Sequence, residues 1–369
     1  MKVSNLDKII LILLYCLLSI QNGFFDKIFN LFNMDLFSIL LSVILIGYFF
    51  VLLYRKVIKI DTIFIIFIIL ILYKLIVAVI VKNPILNILI DFRTTVYFFT
   101  TYLIYKYSNV DEEYFIKIIK AGGLLNSIIF LYFMNKIISE FGIGTRDVSI
   151  NLYISFFSMA IILFIDKKGL YSFKNDIIMI LNFIAIVLSQ QRTVIIPLIV
   201  LIVLFLLKNF RFNLKKITTI IIISLLCLIL LNYLNNIGIL ELIKNRFSVE
   251  LFSGENSTLN IRNETMKLAF SQNNIINFIL GCPFGFKYSD LELLIPNYII
   301  KYGVIGVVTI FFYYITIIIN SYKKYYVYQK KILWIYIIML IGGIISGFGG
   351  ATGQMLNAFI LAILTKPKI

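Results

Sequence analysis

The chain is built from long apolar runs, of which 60–81 and 217–234 are two of the clearest. Runs of about 20 apolar residues are what a hydrocarbon layer about 30 Å thick demands of a helix. Hydrophobic residues make up 61% of the chain and charged residues 14%, with a mean hydropathy of +1.00. Soluble chains are about 45–50% apolar and about 25% charged. Surface-to-volume scaling leaves 369 residues no core large enough to hide such a surplus. The expected fold is therefore all-α, a polytopic integral membrane protein.

Apolar stretches lie near 9–20, 36–54, 62–81, 85–105, 114–134, 149–165, 176–190, 193–208, 217–234, 293–319, 332–347 and 352–365, which predicts about twelve transmembrane helices. The organisation that follows is residues 1–234 as helices one to nine, 235–292 as one long extracytoplasmic loop, and 293–369 as the last three helices. Lys2 and Lys8 precede the first run, and Gln21, Asn22 and Gly23 follow it without a small-residue cleavage site, so the first helix is read as retained.

Charge placement orients this layout. With the N-terminus in the cytoplasm, the inner segments hold 19 cations against 7 acids, and the outer segments 10 against 10. The positive-inside rule is satisfied, with both termini cytoplasmic and the long loop outside. Of the net charge of +16, +12 lies in the short inner segments, Arg55 to Lys59 and Lys208 to Lys216 among them, and the rest within the spans. No basic, aromatic-interleaved soluble domain exists to bind nucleic acid. The chain has no histidine, which removes imidazole as base, relay or ligand, and its three cysteines, Cys16, Cys227 and Cys282, are scattered. No metal or cofactor is expected.

Four polar constellations interrupt the apolar pattern. Ser189-Gln190-Gln191-Arg192-Thr193 joins two apolar runs with almost no loop, and puts an arginine at the outer boundary. A guanidinium fork there matches phosphate or pyrophosphate bidentately, unless it only snorkels and caps a hairpin. In the long loop, Arg246 and Arg262 flank Glu250 and Glu255, and residues 261–269 read as an amphipathic surface helix before the turn-rich Gly281-Cys282-Pro283-Phe284-Gly285. Pro296-Asn297 opens the next span, with Lys301 embedded in it. Gly303 and Gly306, three apart, are read as a close-packing face. In the fourth span Asp91 and Arg93 are too close to face each other on a helix, so they pair elsewhere or Arg93 reaches an anionic head group. The Ser346–Gly353 stretch lacks the Gly-Lys-Ser/Thr ending of a phosphate loop and is read as a turn.

The order of these elements resembles a known family. An outward S-x-x-R-T hairpin, a long outer loop with an arginine leading a short amphipathic helix into G-x-P-x-G, and N-Y entering a helix with G-x-x-G are similar to the O-antigen and capsular polysaccharide repeat-unit polymerases (Wzy type) of the O-antigen ligase/polymerase superfamily. The likeness covers mainly residues 185–310. Ligases of the superfamily carry a His-Asn pair where this chain has Pro296-Asn297, and the missing histidine favours a polymerase.

The resemblance implies a metal-independent membrane glycosyltransferase in the bacterial cytoplasmic membrane. It would act on undecaprenyl-pyrophosphate-linked oligosaccharide, among membrane lipids, with a chain-length co-polymerase as associate. It implies Arg192, Arg262 and Glu264 as the catalytic set, and Arg93, Arg246, Asn297 and Lys301 as pyrophosphate- or sugar-binding residues. Glu255, Glu264, Asp290 and Glu292 all lie on the side where an acceptor's base must be. Two rival readings stand beside it. A lipid-linked oligosaccharide flippase would show embedded charges around a cavity and broken helices, and an O-antigen ligase would need a base other than histidine.

Overall fold

The computed structural model describes residues 5–20, 30–31, 34–55, 58, 62–108, 112–141, 152–166, 172–189, 191–208, 258–286, 294–324, 327–346 and 350–365. Within these the chain is almost wholly helical: α1 (Asn5–Ile20), α2 (Leu36–Tyr54), α3 (Thr62–Ile80), α4 (Ile85–Tyr107), α5 (Glu112–Phe141), α6 (Tyr153–Phe164), α7 (Phe173–Leu188), α8 (Arg192–Lys208), α9 (Thr258–Ser271), α10 (Ile275–Leu280), α11 (Leu294–Lys324), α12 (Val327–Ser346) and α13 (Gly350–Thr365). A two-residue antiparallel ladder, β1 (Asn30–Leu31) with β2 (Met34–Asp35), precedes α2. The all-α expectation holds. Eleven of the twelve apolar stretches coincide with helices, and the stretch 217–234 lies outside the described residues.

The helices form where apolar residues run unbroken, and they end on recognisable signals. At the end of α3, Lys82 takes a left-handed φ of 59°. The amides of Lys82 and Asn83 turn back to the carbonyls of Val79 and Ala78, each at 3.1 Å, a Schellman closure. Pro84 then starts α4. This tight hairpin leaves the Asn83 side chain pointing at the segment that follows α10.

The main core joins α1, α2, α4, α5, α6, α7, α8, α12 and α13. Its centre is aromatic: Phe359 of α13 meets Tyr105 of α4 at 4.5 Å, Tyr15 of α1 at 4.8 Å and Phe115 of α5 at 6.0 Å between ring centroids. Such pairs contribute about 0.5–1.5 kcal/mol beyond area burial. A polar seam crosses the other half. Ser127 of α5 donates to Asn182 of α7 at 2.6 Å, Ser155 of α6 to Asn126 at 2.8 Å, and Asn126 to the Ser19 carbonyl at 3.0 Å.

Charged and polar side chains also pair between the helices. Asp7 pairs with Arg55 at 2.8 Å, and Lys120 with Asp166 at 2.6 Å while also donating to Asn175. Lys106 donates to Tyr102, whose hydroxyl meets Thr365. Tyr153 donates to the Thr193 carbonyl beside the α7–α8 hairpin.

Outward faces are apolar. Along α3, Ile65, Ile69, Leu72, Ile76, Val79 and Ile80 are exposed, and along α11 so are Ile305, Val308, Phe311 and Phe312. Among the described residues Glu113–Tyr132 is long and apolar enough by itself to cross a bilayer. Leu41–Tyr54, Ile68–Ile80, Tyr153–Phe164, Thr193–Phe205, Pro296–Phe312 and Leu356–Thr365 are shorter apolar stretches.

Candidate functional site

The site is made by a break in one helix and a loop that folds into it. Inside α11, Gly303 has φ 66° and ψ 175°, a conformation reserved almost entirely for glycine. A side-chain carbon there would overlap the carbonyl of Ile279. The break frees the carbonyls of Ile300 and Lys301 from their usual partners one turn on, and buried carbonyls need donors. Cys282 supplies its amide to Ile300 at 2.7 Å, and Lys74 of α3 donates its ammonium to Lys301 at 2.6 Å. Beyond the close packing expected at Gly303 and Gly306, Gly303 has a conformational role. Gly303 is a backbone break, and the space beside Gly306 is taken by Tyr302 of its own helix and, at 3.7 Å, by Leu70.

The Gly281–Gly285 segment, expected to be an outer turn, is buried. Asn274 caps α10 by accepting the Asn277 amide at 2.7 Å. Gly281 (φ 91°) then leaves the helix, and a carbon on it would come within 2.7 Å of the Lys301 carbonyl. Phe284 inserts among Ala78, Ile88 and Phe92. Its carbonyl accepts from Asn83 at 2.7 Å, and the next amide, Gly285, donates to the Asp91 carboxylate at 2.7 Å. Cys282 sits against Ala269 and Ile300 and donates its thiol to Asn273 at 3.3 Å. Burial pushes that thiol up to about 11, against smaller opposing effects of the Lys74 charge and the Asn273 hydrogen bond.

Together these elements close a cavity lined by Lys74, Asp91, Cys282, Pro283, Phe284, Ile300 and Lys301, with room for about one water molecule. Two lysines and one aspartate are thus brought to one small space among apolar side chains. Lys74 also lies over the Phe284 ring, 4.2 Å from its centroid, and faces Tyr302 at 5.8 Å. Lys74 is six residues from the end of α3, Asp91 six from the start of α4, and Lys301 seven from the start of α11. At 1.5 Å per residue, all three lie about 9–10 Å in from the same end of the bundle.

The residues singled out from the sequence are divided by the fold. Lys301 and Asp91 meet in the cavity. Asn297, one turn before Lys301, is buried, and its side-chain oxygen has no hydrogen-bond partner. Arg93 is not among the lining residues; its guanidinium lies 5.9 Å from the Tyr97 ring centroid, and its Nε is buried without a hydrogen-bond partner. Glu264 is exposed on α9 and is not among the lining residues. Arg192 opens α8 and Arg262 lies in α9, but their side chains lie outside the described set, as do Arg246, Glu255, Asp290 and Glu292 entirely.

Lys74 is the residue that sequence reasoning passed over. It was legible as the lone cation in the apolar run of α3, and an ionisable residue within a span is a functional candidate by default. No family model, no curated protein and no solved structure matches the chain.

Proposed function

We propose that the chain is a multi-pass membrane glycosyltransferase that polymerises lipid-linked oligosaccharide repeat units at the outer face of the bacterial cytoplasmic membrane. The observation that carries this reading is the convergence of Lys74, Asp91 and Lys301, among otherwise apolar helices, beneath the 281–286 segment of the long loop. Apolar side chains exposed along α3 and α11 support the bilayer part, because soluble proteins rarely expose apolar surface so continuously. A depth of about 9–10 Å is short of the midplane of a layer about 30 Å thick, and suits a pyrophosphate head group entering from outside.

In the reaction proposed, the bond between the anomeric carbon of the growing glycan and its undecaprenyl pyrophosphate breaks. A new glycosidic bond forms to a hydroxyl of the incoming lipid-linked unit, and that hydroxyl's proton passes to a carboxylate. Charge develops on the departing pyrophosphate, which fixed cations in a site of low dielectric stabilise without a metal. Lys74 and Lys301 join Arg192 and Arg262 as candidates for that task. Glu264 and Asp91 are the carboxylates to test as base.

The test is the surface polysaccharide profile of a strain lacking the gene. A single repeat unit with the ladder gone supports polymerisation, and a normal ladder refutes it. A specific feature favours a second reading: α11 is a broken helix with a freed carbonyl on a buried ammonium, a device of transporters. A lipid-linked oligosaccharide flippase would leave lipid-linked units trapped on the cytoplasmic side of the same strain.

A further inference from the structure

We infer that the Gly281–Gly285 segment is a plug that closes the cavity in the state described, and that a pyrophosphate-bearing lipid displaces it. This inference rests on the proposed function and adds regulation of the same site. As it stands the cavity has room for about one water molecule, far too little for a pyrophosphate. The cations an anion would seek are nonetheless there, and the plug covers them.

The plug is held by contacts that an anion weakens. The Phe284 ring lies against the Lys74 ammonium, and the Gly285 amide donates to Asp91. A pyrophosphate drawn to Lys74 and Lys301 pulls the Lys74 ammonium off the ring, where the attraction depends on close approach of cation and face. It also sets negative charge beside Asp91, whose carboxylate then gains by moving away and releasing Gly285. Asp91 is the acidic lining residue, and Lys74 and Lys301 are the basic residues that share the cavity with it.

The ends of the plug suit such a movement. Gly281 and Gly285 have φ of 91° and 79°, so both joints are glycines that cross between backbone regions at little cost. The remaining polar ties, the Cys282 amide to Ile300, the Cys282 thiol to Asn273 and Asn83 to Phe284, are single hydrogen bonds that water can replace on opening.

Cys282 reports the plug's position, being 2% exposed. With Cys16 and Cys227 changed to serine it is the sole thiol of the chain. The experiment measures maleimide alkylation of Cys282 in right-side-out membrane vesicles, alone, with undecaprenyl pyrophosphate, and with inorganic pyrophosphate. The lipid pyrophosphate should raise the alkylation rate about tenfold or more, as expected for a rise in local opening. Acceleration by inorganic pyrophosphate too would assign the effect to the anion, and acceleration by the lipid alone would assign it to the joined head group and chain. Gly281→Ala, whose added carbon meets the Lys301 carbonyl, should give fast alkylation with no ligand. Slow alkylation unchanged by either ligand and by Gly281→Ala overturns the plug. Its failure is distinguishable from failure of the proposed function: a strain lacking the gene that loses its ladder, beside unresponsive Cys282, refutes the plug alone. A retained ladder beside a responsive Cys282 refutes polymerisation and keeps the plug.

Discussion

Replacing Gly303 by alanine asks how much the break in α11 contributes. The residue sits at φ 66° and ψ 175°, where a side chain costs about 1–3 kcal/mol in backbone strain. The added carbon also overlaps the Ile279 carbonyl, so the variant must relax. If α11 straightens, the Cys282 to Ile300 hydrogen bond is lost at about 1 kcal/mol, and the Lys74 to Lys301 bond, with its charged donor, at about 1.5–3 kcal/mol. Either route gives roughly 3 kcal/mol against the docked arrangement, about a hundredfold in the opening equilibrium. The assay is alkylation of Cys282 in a chain whose other two cysteines are serine, in detergent and without ligand. Where reclosing is faster than alkylation, the rate follows the opening equilibrium. Gly47→Ala, in α2 with open space around it, should leave the rate within about twofold of the parent. A Gly303→Ala rate equal to that of Gly47→Ala would refute the claim that this glycine holds the loop and the helix together.

Asp91→Asn removes the cavity's lining carboxylate and the charged acceptor of the Gly285 amide, and should lower stability by about 1.5–3 kcal/mol, read as a fall in the thermal midpoint in detergent. Adding Lys74→Met should recover much of that loss, and a double variant as weak as the sum of the singles would show that the two charges do not interact. Under the proposed function, Arg192→Ala and Arg262→Ala should abolish polymer with normal protein in the membrane. Lysine at either position should rescue poorly for want of a fork, and full-length polymer from both alanine variants would remove the arginines from the mechanism. The Cys282 thiol, raised on folding from 9.0 to about 11, contributes stability that is present below pH 9 and lost as pH rises towards 11. Cys282→Ala should flatten that alkaline limb in a pH series of thermal midpoints, and an unchanged limb would contradict the burial of the thiol.

Local signals and long-range contacts contributed different parts of this molecule. Helix positions were legible from the residues alone, because an apolar run needs no partner to declare its length. The stretch read at 85–105 is α4 and the one at 352–365 is α13. Two groups that the charge sorting expects on one side, Asp7 and Arg55, form an ion pair. The polar knot at Ser189–Thr193 and the Gly–Pro segment after α10 could be marked as unusual, but not for what they touch.

Tertiary structure alone decided the site. Lys74 and Asp91 stand 17 residues apart and Lys301 a further 210 along the chain, and no periodicity links them. They meet because α3, α4 and α11 carry their charges at similar depth from one end. The pair Gly303 and Gly306 illustrates the limit. A spacing of three fits helix packing, yet whether a glycine serves contact or conformation depends on its φ, and here φ is set by Ile279 and Gly281 pressing from another segment. Sequence determined which segments are helices and which of their ends carry charge, since both follow from local chemistry. The pairing of a freed carbonyl with an ammonium 227 residues away follows only from the packing of the whole chain.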